Sequence, residues 1–455
     1  MEMLSLDQIA RFCGARVKDT YQDISITGIS RDNRMVKPGD LFIAIKGACF
    51  DGHDFVRQAA EAGAAAALVS TPMPELPIPA LLVEDTIAGL QAIARRYREL
   101  FGVRVVGITG SVGKTTTKEM CASVLSEGLY TLKTQGNLNN DIGMPFTVMG
   151  LNKSHQAAVF EMGANHFGEI ARLTRIARPD IAVITAIGES HIEFLGSKQG
   201  VRRAKLEILE GLAPDGTLIL NGDDPMLWEL RDRLSVKTLY CGMKNEDSDI
   251  FGESLGQDPE NIRFAVRGLP GVSFHIHCGG AHNLQNALIA VAVGKLFGLD
   301  TQQIGRGLES FVNTGARQKL LRLDGATIIS DCYNASPDSM RAALTVLGES
   351  KCHGRKIAAL GDMLELGVHA PRAHFEIGKY AACCADMVLA AGQWSKNTLE
   401  GAVEGGMDPE CARRFDTVPE IGKALKRELS DGDVLLVKGS RGMRMEQVIS
   451  VLTDK

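Results

Sequence analysis

The chain has 455 residues, of which 45% are hydrophobic and 23% charged, a composition typical of folded globular domains and not of disordered or fibrous proteins. Its 50 basic and 55 acidic side chains give a formal charge of −5, which argues against a basic surface for nucleic acid. The length predicts more than one domain. Only 5% of the residues are aromatic and 49 are glycine, which favours α/β domains over a β-sandwich.

Signals for export, membrane insertion or structural metal are weak. Residues 1–7 lack a basic region followed by an apolar stretch, and no apolar run is long enough to span a bilayer. The ten cysteines form no C-x-x-C motif, which is typical of reduced thiols in the cytoplasm. The run His275-x-His277-Cys278, with His282 nearby, resembles metal-ligand spacing. No second cluster accompanies it, so strand surface is the favoured interpretation.

The predicted elements fall into three blocks, residues 1–84, 85–313 and 314–455. The first block ends in a proline-rich stretch at 72–79, which predicts a turn and an extended connection. Within this block we expect strands at 40–45 and 67–69 and an alanine-rich helix at 55–67.

The second block opens with a predicted helix at 87–100 and an apolar run at 103–109, and strands and helices then alternate. Strands are predicted at 157–161, 181–186, 218–221 and 238–241, and helices at 115–125, 169–176, 201–212 and 225–234. This alternation predicts a parallel sheet covered on both faces. Residues 268–278 have a pattern more typical of antiparallel strands, and residues 283–298 are predicted to form a helix.

The third block repeats the alternation on its own. Short apolar strands are predicted at 326–330, 356–360, 387–391 and 434–437, and each is followed by polar or glycine residues and then a helix. The three blocks together therefore predict a multidomain α/β protein.

The sharpest chemical signal is a glycine-rich turn at 107–117, which follows a strand and opens a helix. The N–H groups of such a turn cradle phosphate oxygens, Lys114 would reach the β- and γ-phosphates, and Thr115 would ligate Mg²⁺. The pattern departs from the standard one at Ile108, where glycine is expected. A guanine-reading Asn-Lys-x-Asp is absent, so ATP is favoured over GTP. The other nucleotide-binding candidates in the turn are Gly110, Ser111, Val112, Gly113 and Thr116.

Two further candidates follow neighbouring strands. Glu161 ends the strand at 157–161, and His191 follows the strand at 181–186. Because ligands gather at the carboxyl ends of parallel strands, both are expected beside the phosphate turn as Mg²⁺ ligands. Lys205, judged by spacing alone, reads as a solvated helical lysine.

Polar groups elsewhere are candidates for substrate contact. An amide-rich loop at 137–145 suits a polar substrate, and Asn283 and Asn286 lie one helical turn apart. The remaining candidates are Asn137, Asn139 and Asn140 of that loop and the strand-end groups Asp331, Asp362, Lys438, Ser440 and Arg441.

Taken in order, these motifs resemble the Mur ligase family across essentially the whole chain. The central and third blocks match it at 107–119, 136–145, 161–166, 282–286, 315–318, 331–340, 361–367 and 438–443. The first block carries its signature at 30–34, 39–42 and 51–53. The last-domain Asp-Asn-Pro-Arg tetrapeptide of the member that adds the third peptide residue is absent.

The resemblance implies three domains: a small α/β domain that binds a UDP moiety, with Ser30 and Arg31; a central P-loop-type ATPase domain; and a C-terminal Rossmann-like domain. It implies that Lys205 is carbamylated and that two Mg²⁺ ions are held by Thr115, Glu161, His191 and Lys205. It also implies that Arg317 closes onto the phosphates, that Asp331 holds the ribose or hinge region, and that Asn283 and Asn286 flank the adenine.

The activity implied by the resemblance is ATP-dependent amide formation through an acyl phosphate. The expected substrates are UDP-N-acetylmuramoyl-tripeptide and D-Ala-D-Ala, joined during cytoplasmic peptidoglycan precursor synthesis by a monomer that needs neither nucleic acid nor a membrane span. Two alternatives remain open at this point. One is another muramyl or folylpolyglutamate-type ligase, and the other is a non-catalytic UDP-sugar sensor that uses ATP as a switch.

Overall fold

The chain builds three α/β units, each around its own sheet. The computed structural model describes residues 1–258, 260–313 and 319–454. Within that part, no helix is both long and apolar enough to cross a bilayer. The α/β class and the three-unit architecture agree with the expectation from the sequence.

The first unit has a two-stranded antiparallel ribbon, β1–β2, and a parallel sheet in the order β3-β4-β5-β6. Its first helix begins at a capping box, in which Ser5 and Gln8 satisfy each other's backbone N–H groups. The elements are β1 (Leu4–Ser5), α1 (Leu6–Cys13), β2 (Ser25–Ile26), β3 (Gly28–Ser30), β4 (Asp40–Ile43), α2 (Val56–Glu61), β5 (Ala66–Val69), β6 (Ala80–Leu82) and α3 (Thr86–Arg98).

The second unit is centred on a nine-stranded sheet in the order β15-β14-β13-β12-β11-β10-β7-β9-β8. Strands β7 to β13 run parallel, and β13, β14 and β15 are antiparallel to one another. The strands are β7 (Arg104–Thr109), β8 (Thr131–Lys133), β9 (Ala157–Glu161), β10 (Ile181–Ile184), β11 (Thr217–Asn221), β12 (Lys237–Gly242), β13 (Ile250–Gln257), β14 (Ile262–Val266) and β15 (Ser273–Ile276).

The helices of the second unit cover both faces of this sheet. They are α4 (Lys114–Ser126), α5 (Gly143–Val148), α6 (Glu169–Ala177), α7 (Ile192–Leu195), α8 (Lys198–Leu206), α9 (Pro225–Trp228), α10 (Ala281–Leu296) and α11 (Thr301–Glu309). Strand side chains alternate between the two faces: Val105 packs in the cluster shared with the first unit, and Val106 packs in the cluster under α4 and α10.

The third unit is a six-stranded sheet in the order β16-β17-β21-β18-β19-β20, parallel except for the β16–β17 pair. Its elements are β16 (Lys319–Leu323), β17 (Ala326–Asp331), α12 (Pro337–Glu349), β18 (Lys356–Leu360), α13 (Ala370–Ala381), β19 (Met387–Ala391), α14 (Ser395–Glu404), β20 (Ala412–Phe415), α15 (Val418–Glu428), β21 (Val434–Lys438) and α16 (Glu446–Thr453).

Most predicted strands match the observed ones to within about two residues, but three predicted helices are too long. The helix predicted at 55–67 is only α2, because the chain turns at Gly63, whose φ is +105°. The helix predicted at 201–212 changes to a 3₁₀ turn after Leu206. The helix predicted at 225–234 is the four-residue α9, followed by turns over 229–233 in which Asp232 has φ +63°.

Candidate active site

The glycine-rich turn joins β7 to α4 at the middle of the parallel sheet. Two of its glycines are required by space and by backbone conformation. Gly110 has φ +148°, and a Cβ there would lie 2.0 Å from Thr185 Oγ1; Gly113 has φ +83°, and a Cβ there would lie 2.8 Å from Asn286 Oδ1. Helix α4 begins at Lys114 without a side-chain cap, so its N-terminal N–H groups face the turn.

Hydrogen bonds from the chain after β10 hold this turn in place. Gly188 N donates to Ser111 Oγ at 2.8 Å, Ser190 Oγ donates to Ser111 O at 3.2 Å, and Thr185 Oγ1 donates to Val112 O at 2.5 Å. Lys114 Nζ donates to Gly110 O at 2.6 Å, so its ammonium lies within the turn. This is a preformed loop with a cation at its centre.

Glu161 lies at the carboxyl end of β9, which is the neighbour of β7, and only 2% of it is exposed. Thr115 Oγ1 donates to Glu161 Oε2 at 2.9 Å, and Asn139 Nδ2 donates to Glu161 Oε1 at 2.8 Å. A hydroxyl and a carboxylate therefore meet beside the phosphate turn. Hard oxygen donors of this kind suit Mg²⁺.

Lys205 is not the solvated lysine that its spacing suggests. It lies on α8 with only 1% of its surface exposed. Burial lowers its pKa to about 7, and the nearby positive charge of Lys114 adds to the effect. A large fraction of this amine is therefore neutral near pH 7.

His191 meets a residue from the third unit. It stands at the start of α7 with φ +59°, and its Nδ1 lies 2.5 Å from Glu365 Oε2. The pairing with His191 lowers the pKa of Glu365 and outweighs the effect of burial. Glu365 is a residue that the sequence analysis did not select, although it belongs to the matched segment 361–367.

Two cavities lie where the second and third units meet. The smaller, about 230 Å³, is lined by the phosphate turn, Asn283, Asn286, Asp331 and Lys438. The larger has a volume of about 870 Å³. Its lining includes Thr115, Asn137, His191, Glu365, Ser440 and Arg441.

The asparagine pair and the Asp331–Lys438 pair are held by their own hydrogen bonds. Asn286 Oδ1 accepts from Thr117 Oγ1 at 3.0 Å, and Asn286 Nδ2 donates to Asn283 Oδ1 at 3.3 Å, which ties α10 to α4. Lys438, almost fully buried, lies 2.6 Å from Asp331 Oδ2. These four side chains form one rim of the smaller cavity.

Several selected residues lie away from these cavities or are engaged elsewhere. Asn140 Oδ1 accepts from Gly143 N at 2.8 Å, and buried Asp362 accepts from Gln393 N at 2.7 Å, so both anchor loops. Ser30 donates to the backbone of Asp32, and the Arg31 guanidinium lies 5.6 Å from the Phe146 ring centroid. Ser30 and Arg31 thus belong to the first unit, beside α5. Arg317 lies outside the described residues.

The larger cavity also contains a charged triad that the sequence analysis did not select. Lys118 and Lys133 lie 2.7 Å and 2.5 Å from the two carboxylate oxygens of Glu119, and Lys118 also donates to Thr134 O. Burial raises the pKa of Glu119, but hydrogen bonds from both lysines outweigh it and leave the pKa below its usual value. The only sequence signal was the position of Lys118 and Glu119 directly after the phosphate turn.

We expect Glu119→Gln to destabilise the protein by about 1.5–3 kcal/mol near pH 7, the cost of losing hydrogen bonds to a buried charge. Because the folded-state pKa of Glu119 is lowered, its contribution is present above the unfolded pKa and is lost as pH falls through the folded value. Thermal unfolding from pH 7 to pH 3.5 should show the variant and the parent converging below about pH 4.5. The exposed Glu61→Gln serves as the control, and a pH-independent difference would contradict the assignment.

Comparison with known proteins covers the whole chain. Three family models match it: the Mur ligase family catalytic domain over residues 25–109, the Mur ligase middle domain over 108–294, and the Mur ligase glutamate ligase domain over 316–441. The UDP-N-acetylmuramoyl-tripeptide–D-alanyl-D-alanine ligase of Bacillus subtilis is 40% identical over 97% of this chain and 96% of its own length. The Escherichia coli ligase of the same name is 35% identical over 95% of each.

Solved structures agree with the sequence comparison. MurF from Acinetobacter baumannii superposes with a TM-score of 0.90 at 33% identity and covers 100% of both chains. MurF ligase from Thermotoga maritima in complex with ADP has a TM-score of 0.82 at 28% identity, over 93% of this chain and 96% of that one. Full-length similarity in sequence and in structure leads to one conclusion: the chain belongs to the Mur ligase family.

Proposed function

We propose that this protein joins D-alanyl-D-alanine to UDP-N-acetylmuramoyl-tripeptide at the expense of ATP, in peptidoglycan precursor synthesis. The observation that carries the proposal is the pairing of Thr115 with buried Glu161 beside a preformed phosphate turn, at a cavity that the third unit closes. The proposal is supported by relatives that match over 95% or more of both chains and carry this activity in their names.

The chemistry explains why ATP is needed. A carboxylate is a poor electrophile because its leaving group would be oxide. In the proposed reaction, the terminal carboxylate of the tripeptide attacks the γ-phosphorus of ATP, which breaks the bond to the bridging oxygen and releases ADP. The dipeptide amine then attacks the acyl carbon, inorganic phosphate leaves, and the amine loses a proton. Both steps depend on charge neutralisation and positioning.

The side chains around the turn fit these demands. Lys114 would neutralise the β- and γ-phosphate oxygens, together with the N–H groups of the turn and of α4. Thr115, Glu161 and His191 would hold Mg²⁺, for which a hydroxyl–carboxylate pair is a suitable donor set. When bound, Mg²⁺ neutralises charge on the transferred phosphoryl group. Arg317 and Asp331 remain proposed contacts to the phosphates and to the ribose or hinge region.

Lys205 as an ammonium would repel a divalent cation, so we infer that it acts as a carbamate and holds the second Mg²⁺. Its burial supports this, because a neutral amine is the form that reacts with CO₂. The neutral amine nitrogen adds to CO₂ and loses one proton, which gives an anionic carbamate; counted from the ammonium form, two protons are lost. The carbamate would then provide the oxygen ligands that a bare lysine lacks.

The two cavities suit different parts of the reactants. The smaller one, beside Asn283 and Asn286, would take the nucleoside of ATP, and the larger one would hold the peptide acid and the dipeptide amine. Asn137, Ser440 and Arg441 line the larger cavity and are its candidate contacts. Asn139, Asn140, Asp362 and Lys438 lie outside that lining and remain proposed substrate contacts. Closure by the third unit would keep water from the acyl phosphate.

Residues 1–84, with Ser30 and Arg31, would bind the UDP moiety, residues 85–313 ATP, and residues 314–455 the amino substrate. The ten cysteines are all free, which supports a cytoplasmic location. Because one chain supplies both walls of each cavity, we propose that it acts as a monomer.

The proposal is tested by coupled ADP release with ATP, Mg²⁺, UDP-N-acetylmuramoyl-tripeptide and D-Ala-D-Ala, with each component omitted in turn. We expect steady turnover only with the complete mixture, and a product heavier than the tripeptide substrate by D-Ala-D-Ala minus water. A panel with L-glutamate and folate in place of the native pair addresses the folylpolyglutamate-type alternative. Failure to release ADP with all substrates present would favour the sensor instead.

A further inference from the structure

Two histidines and a glutamate converge on the surface of the second unit, far along the sheet from the phosphate turn. His275 lies on the edge strand β15, His277 follows that strand, and Glu309 ends α11, which packs against β15. A ring nitrogen of each histidine and a carboxylate oxygen all lie within 4.8 Å of one another. Histidines at i and i+2 of an extended chain point to the same side.

The hydrogen bonds around the cluster fix which ring nitrogens carry lone pairs. Asn261 Oδ1 lies 3.0 Å from His275 Nε2 and 3.1 Å from His277 Nδ1. A carbonyl oxygen can only accept, so both of these nitrogens carry hydrogen. Nδ1 of His275 and Nε2 of His277 are then the lone-pair atoms of the neutral rings. A histidine that donates its remote N–H to an oxygen in this way is the usual arrangement of a metal ligand.

His275 and Glu309 are not joined by a direct hydrogen bond. His275 Nδ1 lies 3.8 Å from Glu309 Oε1, too far for a hydrogen bond. Zinc bonds of about 2.0–2.2 Å allow two ligands of one ion to lie up to about 4 Å apart. Glu309 is exposed, so rotation of its side chain can close the remaining distance.

We infer that His275, His277 and Glu309 form a site for a transition-metal ion of the zinc, nickel or copper type, with Asn261 as a positioning residue. Imidazole nitrogen favours these ions, whereas Mg²⁺ prefers all-oxygen sites. The ion would tie edge strand β15 to α11, and water would complete its coordination. The third ligand comes from 32 residues beyond His277, which is why the short motif alone favoured bare strand surface.

The experiment is titration calorimetry of the full chain with Zn²⁺, in buffer containing excess Mg²⁺ and ADP to occupy the reaction site. We expect one Zn²⁺ equivalent that His275→Asn/His277→Asn abolishes and that Glu309→Gln weakens at least tenfold. Asn261→Leu, which removes the acceptor behind both rings, should weaken binding about 10–100-fold. His353→Ala, an exposed histidine outside the cluster, should leave this binding unchanged.

A second readout does not depend on calorimetry. Cu²⁺ bound by the parent should give an electron paramagnetic resonance spectrum with hyperfine splitting from two nitrogen ligands, and the double-histidine variant should lose it. Thermal unfolding checks that each variant is folded. Equal Zn²⁺ stoichiometry and affinity in the parent and the double variant would overturn the inference. An unchanged affinity in Glu309→Gln would overturn the three-ligand site.

Discussion

Lys114→Ala should lower ADP release by about 10²–10³-fold, the usual cost of removing one group that stabilises transition-state charge. The Lys114 ammonium lies 2.6 Å from Gly110 O, inside the turn where the β- and γ-phosphates are proposed to bind. Among the described residues that line the smaller cavity, the one other lysine or arginine is Lys438, and it is paired with Asp331. No second cation of this kind on the described lining can therefore replace Lys114. The measurement is single-turnover ADP formation at saturating ATP.

Two companion variants make this result specific. Lys114→Arg keeps the charge but changes its shape, and we expect it to fall between the parent and Lys114→Ala. The exposed Lys351→Ala should release ADP like the parent. If a folded Lys114→Ala variant releases ADP within twofold of the parent rate, Lys114 is not part of the phosphate site.

Lys205→Ala should lower turnover by more than about 100-fold, because even residues that only support a metal ligand cost 10–100-fold when removed. Short carboxylic acids such as acetate or propionate should restore part of the activity, since the vacated space can hold a carboxylate in place of the carbamate. Gln199→Ala, an exposed truncation on the same helix, is the control and should need no rescue. A fully active Lys205→Ala would exclude the residue from the site.

The parent enzyme offers a test of the same idea through pH. With a pKa of about 7, Lys205 is mostly protonated at pH 6 and mostly neutral at pH 8. After removal of CO₂, reactivation at a fixed concentration of dissolved CO₂ should be roughly tenfold faster at pH 8 than at pH 6. A rate independent of pH would argue against carbamylation of this amine.

The sequence was sufficient for the features that depend on local pattern. The strands at 157–161, 356–360 and 387–391 have the predicted bounds, because short apolar runs between polar turns have few other solutions. The meeting of Thr115 with Glu161 follows from strand order, since β9 and β10 flank β7. The α/β class and the family assignment are confirmed by the comparisons.

Features that depend on tertiary contact were beyond the sequence. Lys205 has the spacing of a surface lysine, and its burial arises from tertiary packing around α8, whose Val201 and Ala204 join the core cluster. Glu365 reaches His191 only because the third unit folds back on the second. The length of the helix predicted at 201–212 also failed: it changes to a 3₁₀ turn after Leu206, and the turn ends at Gly211, where a Cβ would lie 2.2 Å from Thr174 O.

The segment that follows β10 contacts both the phosphate turn and the third unit. Gly188 N donates to Ser111 of the phosphate turn, while Glu189 N donates to Asp338 Oδ2 and His191 lies against Glu365, both from the third unit. A Cβ at Gly188 would lie 2.0 Å from Asp338 Oδ2, so a side chain there would displace the Asp338 carboxylate. Swinging the third unit outward must break these contacts first. Because the third unit also lines both cavities, such a swing would open the cavities and break these contacts together.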